Sequence, residues 1–327
     1  MNFSRKIFIL ANACYLMYTY NLDEVSANMV SYVGRKAAYL GDLYHYNINV
    51  PEGFVITKSA FQEFLNKIKG KINNELRNVD LNDLNDLNER FQRIKEIIEK
   101  EEIPEEIENE IKIKLHGLSS EFFAVRPTVT SSLSGHTFAG EMETYLYISK
   151  EDVPHFIKMA WSSYFNPRSL SYRISTGEDP LPAVIVQEMI NPRSAGTAFT
   201  LHPVTKDPKM IVIESSWGLG EAVTKGVVTP DRFIIPKYQR VVTEKFISDK
   251  IVKFVFDENE RLIRKIEMDE EERKSPSITD DEAVKIANTA IKIEEIFSKP
   301  VNIEWAISDN RIYVLEVRGI NTVIEGV

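Results

Sequence analysis

Val301-Asn302-Ile303-Glu304-Trp305-Ala306-Ile307 and Ile312-Tyr313-Val314-Leu315-Glu316-Val317-Arg318 are separated only by Ser308-Asp309-Asn310-Arg311. Both runs are apolar and β-rich, and the short polar gap predicts an antiparallel hairpin. A carboxylate set between apolar strand residues is costly to bury unless it is paired or bound to metal. Two such carboxylates on adjoining strands, Glu304 and Glu316, therefore point to Mg²⁺, with a structural ion pair as the plainer alternative. Glu316 and Arg318 share a strand face by period-two geometry. Register decides whether the site exists. An even-length loop pairs Glu304 with Leu315 and puts the glutamates on opposite faces, whereas an odd connection centred on Asn310 pairs Glu304 with Glu316. Asn tolerates the left-handed conformation that an odd loop with a bulge requires, so the odd connection is expected. Both carboxylates and Arg318 should then face a cleft, with Tyr313, Leu315 and Val317 packed behind.

Immediately upstream, Thr279 and Glu282 have capping-box spacing ahead of the periodic apolar residues Ala283, Ile286, Ala287, Ala290 and Ile291. A helix is expected there, stopping by Pro300. Further back, β-rich runs at 122–125, 183–189, 196–201, 210–215 and 232–236 are separated by Gly, Pro and Ser, and 153–165 reads as a helix. From Phe61 to Leu115 apolar residues recur at helical spacing among dense Glu and Lys, with a break at Pro104. The change of texture divides the chain into residues 1–120, an α/β lobe with charged helices, and residues 121–327. The fold class is α+β.

A chain of 327 residues is long enough for two packed bodies. A net charge of −9 leaves no general basic field for nucleic acid. The single cysteine, Cys14, cannot form an internal disulfide and fits a cytoplasmic setting. The apolar run 7–20 behind Arg5 and Lys6 superficially resembles a signal sequence, yet it is too short to span a bilayer, and a buried first strand reads the same way. No membrane association is expected. None of the five histidines has a partner set that names a mechanism, and Cys14 has no evident base, which argues against hydrolase chemistry.

Candidate phosphate contacts lie further out. In Val33-Gly34-Arg35-Lys36-Ala37-Ala38 a glycine precedes a lysine at a helix start, which can bring an ammonium to a phosphate; a solvent-facing Lys36 is the plainer reading. Phe123-Ala124-Val125-Arg126 is an apolar strand ending in an arginine able to clamp phosphate with two N–H donors. A Ser/Thr-rich loop and Phe138-Ala139-Gly140-Glu141-Met142-Glu143-Thr144 follow it and can close over a polyphosphate. Gln187-Glu188-Met189, after the apolar run 183–186, can read an adenine edge or be structural. Ser216-Trp217-Gly218-Leu219-Gly220-Glu221 is a glycine-bearing turn that can hold an anion or serve as a tight connection.

Taken in order, these segments resemble the ATP-binding domain shared by phosphoenolpyruvate synthase, pyruvate phosphate dikinase and rifampin phosphotransferase. The resemblance also rests on Ser171-Tyr172-Arg173, His202-Pro203-Val204-Thr205 with Asp207-Pro208, and Ile303-Glu304-Trp305-Ala306. It implies an ATP-grasp-like fold, two lobes closing on nucleotide, with ATP and Mg²⁺ as cofactors. ATP contacts are carried onto Lys36, Arg126, Gly140, Thr144, Gln187, Glu304, Glu316 and Arg318. Lys36, Arg126 and Arg318 take catalytic roles on the phosphates, and Glu304 and Glu316 hold the metal. Arg35 and Ala37 stand where the family usually has glycines, Pro127 where it has serine, Glu316 where it often has glutamine and Gly319 where it often has proline. The family's ATP phosphorylates a histidine on a swivelling domain, and no Thr-Ser-His-like segment occurs here. The implied partner is therefore a phosphohistidine domain, in the same full-length protein or on a separate subunit. A non-catalytic nucleotide-binding regulatory module and a fragment of an antibiotic phosphotransferase are the alternatives.

Overall fold

The computed structural model describes residues 17–81, 83–130, 143–177 and 179–320. A first sheet is built from β1 (Thr19–Asn21), β2 (Gly53–Ile56), β3 (Phe122–Val129), β4 (Tyr145–Ser149) and β5 (Pro182–Glu188), in the order β1-β2-β5-β3-β4. The second contains β6 (Ser194–Phe199), β7 (Met210–Trp217), β8 (Asp231–Pro236), β9 (Glu244–Phe246), β12 (Val301–Ser308) and β13 (Arg311–Gly319), in the order β13-β12-β6-β7-β8-β9. Between β9 and β12 a separate hairpin pairs β10 (Val252–Asp257) with β11 (Leu262–Glu267). Every pairing of named strands is antiparallel, in line with the α+β expectation.

The strands alternate as buried sheets require. Phe54, Ile56, Val184 and Val186 point into one core, with α2 (Lys58–Glu75), α3 (Leu84–Lys100), α4 (Glu105–Gly117) and α5 (Val153–Ser162) covering them. The intervening Val55, Ala183 and Ile185 point the other way. They join a core with α1 (Val30–His45), the second sheet and α9 (Asp280–Phe297). Helix α6 (Pro167–Thr176) and the short helices α7 (Glu221–Thr224) and α8 (Glu270–Lys274) complete the described α-helices. A division after residue 120 would cut the first sheet, because β3, β4 and β5 complete it; the passage between sheets lies between Glu188 and Ser194. The change of texture at 120 marks the end of the charged helices, whereas sheet membership depends on pairing between distant strands.

Local signals behave as their chemistry predicts. Thr279 Oγ1 accepts from Glu282 N at 3.2 Å while Glu282 Oε2 accepts from Thr279 N at 2.9 Å, the reciprocal cap anticipated for α9. Pro104 occupies the cap position of α4. Of the run 7–20, the described end is an edge strand, β1, paired with β2. Among the described residues no helix is long and apolar enough to cross a membrane.

The β10–β11 hairpin reaches from the second sheet to the first. Phe256 stacks on Tyr147 with centroids 3.9 Å apart and planes 2° from parallel, and meets Phe122 edge-on at 4.8 Å. Arg261 pairs with Glu121 at 2.6 Å beside them. The shared core beneath α1 and this ring contact both join the sheets.

Candidate nucleotide site

Between the sheets lies a cleft of about 860 Å³, walled by β3, the lead-in to β4 and the end of β5 on one side and by β6, β12 and β13 on the other. The cations come from separate elements. Gly34, at φ +79°, interrupts α1, so Lys36 stands at the start of a new helical run, its N–H directed at Thr128 Oγ1 (3.3 Å). A Cβ at Gly34 would lie 2.3 Å from Thr128 Oγ1 and 2.9 Å from Val129 O. Gly34→Ala should therefore cost more than about 1 kcal/mol, measurable by urea unfolding, and displace Lys36 with it. An unchanged midpoint would reject this account of the glycine.

Arg126 arrives from β3 and is 8% exposed. Among the described residues its strand pairs beyond Val125 with β5 only, a setting in which Pro127 costs the ladder no observed bond to β4. Its guanidinium crosses the cleft, donating from Nη1 to Leu315 O and from Nη2 to Glu316 Oε2 at 2.8 Å. Lys36 Nζ lies 3.1 Å from the same Oε2, and Arg318 Nε is 2.5 Å from Oε1. Glu316 is 2% exposed and both its oxygens are taken by cations. Glu304 is held more loosely, 3.4 Å from Arg318 Nη2 and 3.9 Å from Arg126 Nη2.

The register differs in cause from the expectation and agrees in result. Ser308 pairs with Arg311, so the connection is the even two-residue turn Asp309-Asn310, both with positive φ (49° and 59°). A bulge between Trp305 and Glu304 then moves the pairing from Trp305↔Val314 to Glu304↔Glu316. Leu315 is the extra residue. Two consecutive residues, Leu315 and Glu316, consequently line the cleft, and Val314 and Val317 fill the core behind. Tyr313 and Leu315 do not pack there as expected, because the bulge reverses the alternation upstream of Glu316.

These contacts set the electrostatics. Burial pushes the Glu316 carboxyl up, but Lys36, Arg126 and Arg318 outweigh it and bring it down to about 2. Burial, together with the charge of Glu316, raises Glu304. Burial lowers the Lys36 ammonium, with Arg126 and Arg318 adding, despite Glu316. A carboxylate depressed in the folded state contributes stability above its unfolded value of about 4.3, and that contribution disappears as pH falls through about 2. Denaturant titrations between these limits should show this loss in the native chain and its absence in Glu316→Gln; parallel pH curves would refute the assignment.

The remaining expected residues fall unequally. Thr144 lines the cleft, as does Gln187, whose Nε2 donates to Pro51 O at 3.1 Å and so also serves the fold. Gly140 lies outside the described residues. The glycine-bearing turn at 216–221 borders the cleft too, presenting Glu221 paired with Lys225 at 2.8 Å. Arg173 stacks on Tyr164 and pairs with Asp179, and His202 Nδ1 accepts from the N–H groups of Val204 and Thr205. Those segments therefore shape the scaffold.

Sequence reading named Glu304 and Glu316 but missed the rest of a row of oxygens across the second sheet. Glu214, Thr197, Glu304 and Glu316 are successive partners on β7, β6, β12 and β13, and all four line the cleft. Asn302 precedes Glu304 by two residues on the same face. Its Oδ1, like Thr197 Oγ1, is buried and has no hydrogen-bond partner among the described residues. Period-two spacing from Glu304 was the available signal for Asn302. Among the described residues no three His, Cys, Asp or Glu side chains converge as a metal cage.

Residues 30–326 match the family described as pyruvate phosphate dikinase, AMP/ATP-binding domain. The chain is 38% identical over 314 residues to a protein of Archaeoglobus fulgidus named "Probable phosphoenolpyruvate synthase", covering 92% of this chain and 41% of that one. It is 36% identical over 326 residues to the "Phosphoenolpyruvate synthase" of Aeropyrum pernix, covering 88% and 39%. The chain thus spans about 40% of these relatives' length. A solved D-alanine–D-alanine ligase from Bacillus anthracis aligns with 90% of this chain and 58% of its own, at 10% identity and a TM-score of 0.36. With the sequence match running through the described cleft, the chain belongs to the family of the pyruvate phosphate dikinase AMP/ATP-binding domain.

Proposed function

We propose that this chain binds ATP with Mg²⁺ in an ATP-grasp-like enclosure and donates the γ-phosphoryl group to a histidine on a separate domain of a phosphoenolpyruvate synthase-like phosphotransferase. The observation that carries this reading is the convergence of Lys36, Arg126 and Arg318 on one carboxylate inside the cleft. Three cations from a helix and two sheets, gathered around a single anion, form a cradle suited to a polyphosphate. Phosphoryl transfer requires mainly position and charge compensation, which this cradle supplies.

Glu304 and the unpartnered Oδ1 of Asn302 are the hard oxygen donors best placed to hold Mg²⁺. Two donors suffice, because Mg²⁺ keeps several waters and takes phosphate oxygens as ligands. Bound there, the ion would neutralise charge on the phosphates. Glu316, expected as a second ligand, is occupied by the three cations and fits better as their counter-ion. It orients Lys36, Arg126 and Arg318 and gives them up when phosphate arrives. Thr144, Gln187 and Leu315 line the remaining cleft and would enclose the nucleoside. The single cysteine is compatible with a cytoplasmic setting.

Calorimetry with ATP in the presence and absence of Mg²⁺ tests the first step, and no binding at millimolar nucleotide would reject the proposal. Transfer of label from [γ-³²P]ATP to an added phosphohistidine domain tests the second. ATP binding without transfer would leave a nucleotide-binding regulatory module.

A further inference from the structure

A second concavity, of about 460 Å³, lies on the far side of the second sheet, enclosed by α9, the β12–β13 turn and the segment that follows α1. None of its lining residues lines the nucleotide cleft. Lys285, Thr289 and Lys292 recur at helical spacing along one face of α9, and Arg311 enters from the start of β13. The whole chain carries a net charge of −9, yet these walls bring three cations to one carboxylate, Glu282.

That carboxylate is already committed. Glu282 Oε1 accepts from Arg193 at 2.6 Å and Oε2 from Thr279 N at 2.9 Å. Lys292 Nζ donates at 2.7 Å to the carbonyl of Tyr46, a neutral acceptor. Neither Lys285 nor Arg311 has a side-chain ion pair among the described residues. Three positive charges around one hollow repel one another, and an anion seated between them would reverse that cost. The walls are fixed in advance: Asn49 Nδ2 donates to Ile312 O at 3.2 Å and Val314 N donates to Asn49 O at 2.9 Å, tying the segment after α1 to β13. Asn47 and Asn310 add amides at the rim. A preformed hollow with three cations and amides in its lining suits a compact ligand of two or three negative charges.

We infer that this concavity is a polyanion-binding site, separate from the nucleotide cleft, for a phosphate-bearing or polycarboxylate metabolite. Calorimetric titration of Lys36→Ala protein, its cleft weakened, with inorganic pyrophosphate and with citrate tests this. The same titrations follow on Lys36→Ala carrying Lys285→Glu and Arg311→Glu as well. Lys285 and Arg311 are exposed, so the added charges leave the core intact, and matching melting curves would verify that. The expected result is saturable binding of at least one anion, weakened about tenfold or more by the two reversals. Pyrophosphate alone would assign a phosphate ligand, and citrate alone a polycarboxylate. Binding of neither anion, or equal binding by both proteins, would overturn the inference, and neither result bears on whether ATP occupies the cleft.

Discussion

Arg126→Ala and Lys36→Ala are expected to weaken ATP binding far more than AMP binding, because both side chains are assigned to phosphates beyond the first. Removing a charge-assisted hydrogen bond at a desolvated position costs about 1.5–3 kcal/mol, or roughly 10- to 150-fold in affinity. Arg126 should show the larger effect. It is buried, and its guanidinium also spans from β3 to the hairpin through Leu315 O and Glu316. Lys36 makes one such bond and keeps some access to water. Calorimetry with the two nucleotides decides the matter. Equal losses for ATP and AMP would place these residues away from the distal phosphates and remove the main support for phosphoryl donation.

Glu316→Gln should move stability and affinity in opposite directions. Removing one member of a buried charge group leaves its partners uncompensated, at a cost of about 3–5 kcal/mol. Here the partners are Lys36, Arg126 and Arg318, and the first two are buried or nearly so. The same change releases those cations from an internal competitor, so phosphate should bind more tightly. ATP should consequently raise the melting temperature of the variant more than that of the native chain. If Glu316 is instead an indispensable Mg²⁺ ligand, the variant will bind ATP more weakly and lose the benefit of Mg²⁺. The sign of the affinity change separates the two roles.

Much of this site could be read from residue order because its main parts are locally encoded. A glycine before Lys36 breaks α1 where the proposed phosphate contact needs a helix start, and an apolar strand delivers Arg126 to the cleft. Period-two spacing correctly put Arg318 beside Glu316. The parts that escaped depend on long-range pairing. No local pattern distinguishes an odd loop from an even turn followed by a bulge, since both oppose Glu304 to Glu316. Thr197 and Glu214 acquire meaning only when β6 and β7 are laid beside β12. The division at 120 failed for the same reason, because β5 inserts between β2 and β3 and binds early and late segments into one sheet. Glu316 was legible as a buried carboxylate needing a partner, but which partner is settled by α1 and β3, each well over a hundred residues away.

The bulge also bears on how the hairpin can change in length. Strand β13 carries one residue more than β12 can oppose, so it holds spare chain inside a ladder that normally has none. Deleting Leu315 would let Glu316 follow Val314 directly and still face Glu304, with Val317 and Arg318 keeping their sides. The chief loss would be the carbonyl that accepts from Arg126. Deleting Val317 instead would turn Arg318 toward the core. A shortened protein lacking Leu315 should therefore fold and retain measurable ATP binding, whereas one lacking Val317 should not. If both deletions fail alike, the extra residue is not slack, and the hairpin tolerates no change of length at this point.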